Sequence, residues 1–179
     1  MEIKKLVLGP LLTNCYILIS EEEAIVIDPA FEIEKIIKEL KEKKLKYIVL
    51  THYHFDHTLG AEKLKEKTQA KILAGKGEEK FIKFPVDLLL KDGDEIKFGK
   101  DSLKVVLTPG HTKGSICLLG KDVIFTGDTL FENGVGRTDL PGGSEKDLKN
   151  SLFKIFQLMK EGMIVYPGHG PDFKFSTLK

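Results

Sequence analysis

The sequence is short of cysteine, arginine and long apolar runs, and each shortage removes a class of function. There are two cysteines, Cys15 and Cys117, one in "CYILI" and the other in "SICLL", and no C-x-x-C pair. Zinc-ribbon and thioredoxin-type readings therefore fail, and both thiols read as small buried hydrophobes. Arg137 is the sole arginine, and 28 basic residues face 27 acidic ones, for a formal charge of +1. So even a balance leaves no electrostatic footprint for nucleic acid or an anionic membrane. No stretch approaches transmembrane length. The opening "MEIKKLVLGPLLTN" has two lysines and an apolar run broken at Gly9-Pro10, with no small-residue cleavage site after it. The sequence thus predicts a soluble, cytoplasmic protein that meets neither membrane nor nucleic acid. Glutamate and lysine are favoured over Asp, Arg, Asn and Gln, a bias that resembles a thermophile's usage.

What is present reads as one domain over residues 1–179, with no linker or low-complexity tract. "NCYILI" (14–19) and "AIVIDPA" (24–30) predict strands around an acidic turn. Residues 31–46 predict a helix, with Ile33, Ile36, Ile37 and Leu40 on one stripe. "YIVL" (47–50) and "AKILA" (70–74) predict strands around a short helix over 59–69, and "GEEKFIKF" (77–84) a further helix. Residues 86–107 predict β structure, with a hairpin at Asp92-Gly93 and a turn at Gly99-Lys100-Asp101. "SICLLG" and "DVIFTGD" predict strands and "GRTDLPGGS" a loop. Ser144 and Asp147 predict a helix start before the stripe Leu148, Leu152, Ile155, Phe156 and Met159. "MIVYPGHG" predicts a last strand.

The chain has five histidines, and none lies outside a strand-end context. His52, His54 and His57 fall in "THYHFDHTLG", directly after "YIVL". His111 follows "VVLTPG" and His169 follows "IVYPG". Asp128 ends "VIFTGD" in the same way. In α/β sheets ligands bind outside the carboxyl ends of the strands, so these side chains are expected to converge. In an extended stretch His52 and His54 face one way and can chelate together. Asp56 and His57 can turn toward a second ion. Seven N and O donors, His52, His54, Asp56, His57, His111, Asp128 and His169, exceed the four that tetrahedral zinc takes, so they suit two divalent ions. Imidazole and carboxylate without thiolate permit zinc, iron or manganese without choosing among them, and zinc is the expected metal.

These motifs carry a resemblance. "THYHFDH" is similar to the H-x-H-x-D-H motif of the metallo-β-lactamase fold superfamily, and "TPGHT", "FTGDTLF" and "YPGHG" resemble its later metal-binding motifs in order. "GDTLF…GVGRTDLPGGS" followed by a helix resembles the glyoxalase II-like, hydroxyacylglutathione hydrolase branch, in its short single-domain form. The resemblance implies a four-layer αβ/βα sandwich with two metals at one edge. It implies that His52, His54 and His111 hold the first metal, that Asp56, His57 and His169 hold the second, and that Asp128 bridges them. Glyoxalase II enzymes carry a further C-terminal helical region that helps bind glutathione. Here the sequence ends nine residues after Gly170, so the hydrolytic core is better supported than a glutathione thioester.

The expected activity is hydrolysis of a small-molecule thioester by a metal-bridging hydroxide. Asp56 is expected both to ligate and to orient that hydroxide. No G-x-S-x-G occurs and no histidine is spare to activate a serine. The alternatives are an iron-dependent persulfide dioxygenase-like oxidoreductase and a lactone or β-lactam hydrolase on the same scaffold. Asp28, in "VIDPA", is a candidate acceptor for a metal-bound histidine, or else a turn residue. Arg137 is read as a pin for its loop through Asp139, or else as a contact for an anionic substrate.

Overall fold

Every residue of the strand containing "NCYILI" is buried, so that strand is covered on both faces. The computed structural model describes residues 1–176. Their elements are, in chain order, β1 (Glu2–Leu8), β2 (Thr13–Ser20), β3 (Glu23–Ile27), α1 (Ile33–Leu40), β4 (Lys44–Leu50), α2 (Phe55–Thr58), α3 (Ala61–Thr68), β5 (Lys71–Gly75), β6 (Leu88–Leu90), β7 (Glu95–Phe98), β8 (Asp101–Leu107), β9 (Ile116–Leu119), β10 (Val123–Gly127), β11 (Leu130–Phe131), β12 (Gly134–Val135), α4 (Glu145–Leu158), β13 (Ile164–Pro167) and β14 (Phe173–Lys174).

Two six-stranded sheets form, one in the order β1-β2-β3-β4-β5-β6 and the other β14-β13-β10-β9-β8-β7. The period of two along each strand sorts the apolar residues into three layers. Cys15, Ile17 and Ile19 face outward from the first sheet onto Ile33, Ile36 and Leu40 of α1 and Leu64 of α3. Tyr16 and Leu18 face inward, against Phe98, Val105, Leu118 and Phe125 of the second sheet. Cys117, Ile124 and Val165 face outward again, onto Ile155 of α4. The result is the expected αβ/βα sandwich, with both cysteines buried in its outer layers. Among the described residues no helix is long and apolar enough to cross a membrane.

Several local expectations change. Residues 2–8, unassigned in the sequence, pair antiparallel with β2 from Glu2↔Ile19 to Leu8↔Thr13. β1 is an edge strand carrying lysines, which hide its apolar signal and suit an edge. The helix expected over 31–46 ends at Leu40, with Lys41 and Glu42 left-handed at φ 48° and 64°. The chain must turn there, because Lys44 already pairs with Glu23 in a parallel ladder. Residues 77–84 make one turn, with Phe81 N and Ile82 N both donating to Glu78 O at 2.9 and 3.1 Å, and no helix. Pro85 disfavours helical geometry in the residue before it. Asp92-Gly93 is no hairpin: β6 belongs to the first sheet and β7 to the second, so this turn is the corner where the chain changes sheets. Phe55–Thr58, given no element by the sequence, forms the short helix α2.

Candidate metal centre

The strand directions decide where the histidines emerge. β3 and β4 run parallel, pairing Ile27 with Val49, so Asp28 and Thr51-His52 leave the first sheet side by side. In the second sheet β9 is antiparallel to both β8 and β10, and β13 is parallel to β10. The ends of β8, β10 and β13 therefore share one edge and deliver His111, Asp128 and His169 there. The two edges are tied across the sandwich. Asn14 N donates to Gly168 O at 2.7 Å, and Ile116 N donates to Thr51 O at 2.9 Å.

All seven residues singled out as donors come together. Nitrogen atoms of His52, His54 and His111 lie within 4.8 Å of one another, as do donor atoms of Asp56, His57 and His169. Asp128 lies between the groups: its Oδ2 is 3.7 Å from His111 Nε2 and 3.5 Å from His169 Nε2, and its Oδ1 is 3.4 Å from His57 Nε2. Asp56 Oδ2 is 3.2 Å from His169 Nε2 and accepts from Thr13 Oγ1 at 3.2 Å.

Hydrogen bonds fix which ring nitrogen faces inward. His57 Nδ1 donates to Asp28 Oδ2 at 2.8 Å, His111 Nδ1 to the Arg137 carbonyl at 2.8 Å, and His169 Nδ1 to the Leu11 carbonyl at 3.1 Å. His52 Nδ1 donates to Thr51 Oγ1 at 3.0 Å, whose own hydroxyl donates to Asp28 Oδ2 at 2.7 Å. In the neutral ring each of these leaves an Nε2 lone pair aimed at the centre. His57 Nε2 and His169 Nε2 face each other at 3.1 Å, and His54 Nδ1 faces His111 Nε2 at 3.0 Å. Two lone pairs so close need a proton or a cation between them. His52 Nε2, His54 Nε2 and Asp128 Oδ1 are buried without a hydrogen-bond partner. Orphaned buried donors and facing lone pairs are what a cation site leaves when only the protein is considered, so these residues fit divalent ions.

The two groups differ electrostatically without metal. Burial, followed by the neighbouring histidines, holds His52 well below the ordinary imidazole value. Burial, then His111, brings His54 down to about 4. Around His57 burial pulls downward but is outweighed by Asp128 and Asp28, so its value rises to about 9. For Asp56 burial pushes upward but is outweighed by the hydrogen bond from His169 and the charge on His57, giving about 2. His52 and His54 are thus held neutral, while His57 keeps a proton among the Asp28, Asp56 and Asp128 carboxylates.

Asp28 is an acceptor. Its Oδ1 takes Thr51 N at 2.8 Å, and its Oδ2 takes Thr51 Oγ1 and His57 Nδ1, so both oxygens are engaged in orienting its neighbours. It is also strained, with a left-handed φ of 51° in a residue other than glycine, which costs energy and recurs at functional sites. The Arg137 side chain makes the expected bidentate pair with Asp139, both bonds 2.7 Å, out in solvent. Its backbone carbonyl orients His111, a role the sequence does not announce. Thr13, Thr51 and Leu11 were missed too. Missed as well was Glu78, fully buried behind His111, which accepts from Thr112 Oγ1 at 2.9 Å and Gly114 N at 2.6 Å.

Residues 8–169 match the Metallo-beta-lactamase superfamily. The chain belongs to that superfamily. It is 32% identical to a probable metallo-hydrolase, YqgX, of Bacillus subtilis, over 96% of this chain and 92% of that one. It is 38% identical to BaeB of Bacillus velezensis, a probable polyketide biosynthesis zinc-dependent hydrolase, over 87% of this chain and 72% of that protein. Among solved structures, the B3 metallo-beta-lactamase BLEG-1 superposes with a TM-score of 0.89 at 30% identity, covering 97% and 94% of the two chains. TTHA1623 in a di-iron-bound form superposes at 0.85 and 30% identity, covering 96% and 94%.

Proposed function

We propose that this superfamily member is a dinuclear metal-dependent hydrolase of small-molecule thioesters. One ion would be held by His52, His54 and His111, the other by Asp56, His57 and His169, with Asp128 shared. The observation that carries this reading is the Asp128 carboxylate, set 3.4–3.7 Å from histidine nitrogens of both groups with one oxygen otherwise unpartnered. The di-iron form of one relative supports a metal pair, and the zinc dependence of another leaves the element open between zinc and iron.

Bound divalent ions supply Lewis acidity and bring the ionisation of water toward neutral pH. The protein's own groups do the positioning. Asp56 Oδ2, held by Thr13 and His169, accepts a hydrogen bond from the attacking water and aims it at the carbonyl carbon. Hydrolysis forms a C–O bond from that water and breaks the C–S bond, giving a carboxylate, a thiol and a proton. A thiolate leaves with a pKa near 8.5 and needs no strong general acid, which suits a site where every histidine is a donor to the centre.

The test is metal content joined to a rate screen over S-lactoylglutathione, other thioesters, a lactone, a β-lactam and a persulfide, with oxygen monitored. Two ions per chain and thioester turnover without oxygen uptake support the reading. One iron with oxygen uptake on the persulfide would replace it with an oxidoreductase. Preference for the lactone or β-lactam, on the precedent of the BLEG-1 likeness, would keep the centre and change the substrate.

A further inference from the structure

A cavity of about 470 Å³ opens beside the centre and shares His54 with it. Its walls are Tyr53, Phe55, Leu59, Phe81, Ile82 and Phe84. The volume falls in the range of ligand pockets, roughly 300–1,000 Å³. The short helix α2 explains its position. Asp56 and His57 point inward and are buried, while Phe55 and Leu59, four residues apart on one face, are 61% and 58% exposed. The helix that supplies donors to one group therefore also supplies an apolar floor beside the other.

The wall is preorganised. The Tyr53 ring stacks on Phe81 with centroids 4.5 Å apart and planes at 18°, and it lies 4.6 Å from the His54 ring. Tyr53 also donates its hydroxyl to the Pro141 carbonyl at 2.7 Å, which pins it to the Gly/Pro loop. The charged residues lining the cavity are Glu62 and Lys83, of opposite sign, so the lining favours no net charge. A thioester has two ends, a thiol carrier such as glutathione, which is charged in water, and an acyl group, which is apolar where it is aliphatic. The lining matches the acyl chain.

We propose that this cavity is the acyl subsite, taking the apolar acyl chain of a thioester whose carbonyl sits beside His54. This rests on the thioester reading above. Kinetics on acetyl, butyryl and hexanoyl thioesters of one thiol test it. The expected result is a rise in kcat/KM of about two- to fourfold per added methylene, as apolar burial gives. Leu59→Glu should flatten the series, and Leu59→Met should restore it. A second measurement avoids turnover: 1-hexanol, a neutral apolar probe, should shift the amide resonances of Phe55, Leu59 and Phe81 in the wild-type protein and leave them in place in Leu59→Glu. Thioester turnover with a flat acyl series and no hexanol shifts overturns the subsite and leaves the thioester reading standing. A slope that follows the thiol instead of the acyl group also overturns it. No turnover of any thioester by the metal-loaded protein overturns the thioester reading and the acyl assignment with it.

Discussion

Asp28 shows how one residue can be costly locally and necessary for the site. It accepts a left-handed backbone so that one carboxylate holds Thr51, His57 and, through Thr51, His52. Asp28→Asn places an amide group among those donors, and a 10–100-fold loss of metal affinity is expected, measured by equilibrium dialysis. Unchanged affinity would show that His57 is oriented by something else. Asp128→Ala removes the carboxylate between the groups, and loss of hydrolysis together with reduced bound metal is expected; wild-type rates in a metal-replete variant would sink the shared-ion arrangement. At this scale the sequence was legible where chemistry is written in side-chain type. All five histidines and both aspartates that meet at the centre could be named beforehand. The acceptors behind them could not, because Leu11 and Arg137 act through backbone carbonyls that every residue has.

Elements bring the donors together, and some leave almost no room. A Cβ at Gly168 would run into Asp128 Oδ1 and come within 2.7 Å of His57 Cε1. Gly168→Ala should therefore lower metal content more than it lowers thermal stability, as judged by metal analysis beside a melting curve. The loop after β5 buttresses the His111 turn through Glu78. Glu78→Ala strands the Gly114 amide and leaves the Thr112 hydroxyl with Ser115 Oγ alone, and about 1–3 kcal/mol of stability should be lost in a urea titration. Legibility is mixed at this scale. Strands buried on both faces and the α4 start, where Ser144 accepts from Asp147 N at 3.2 Å, were readable from local pattern. The edge strand β1, the sheet-changing corner at Asp92-Gly93 and the irregular 77–84 segment were not, because each is decided by a partner distant in sequence.

For the molecule as a whole, metal and proton compete for the same space. Without metal, His57 titrates at about 9 and is charged near pH 7.5, whereas a ligating ring must be neutral. Binding of a divalent ion at pH 7.5 should thus release at least one proton per chain, falling to about half that contribution from His57 near pH 9. Calorimetry in buffers of different ionisation enthalpy measures it. The raised value also means that charged His57 stabilises the metal-free fold below its unfolded-state pKa, and that this contribution fades as pH climbs through about 9. His52 and His54, held low, should release nothing at neutral pH.

The centre also straddles a seam. His52, His54, Asp56 and His57 follow a strand of the first sheet, while His111, Asp128 and His169 follow strands of the second. Neither half of the chain alone offers more than two of the three donors of the His52–His54–His111 group or of the Asp56–His57–His169 group. Those two donor sets are complete only once the two sheets have docked, so an ion held there would clasp them at the edge where they meet. On the proposed reading, a half-folded chain offers each ion only part of its donors, and the finished one offers all of them.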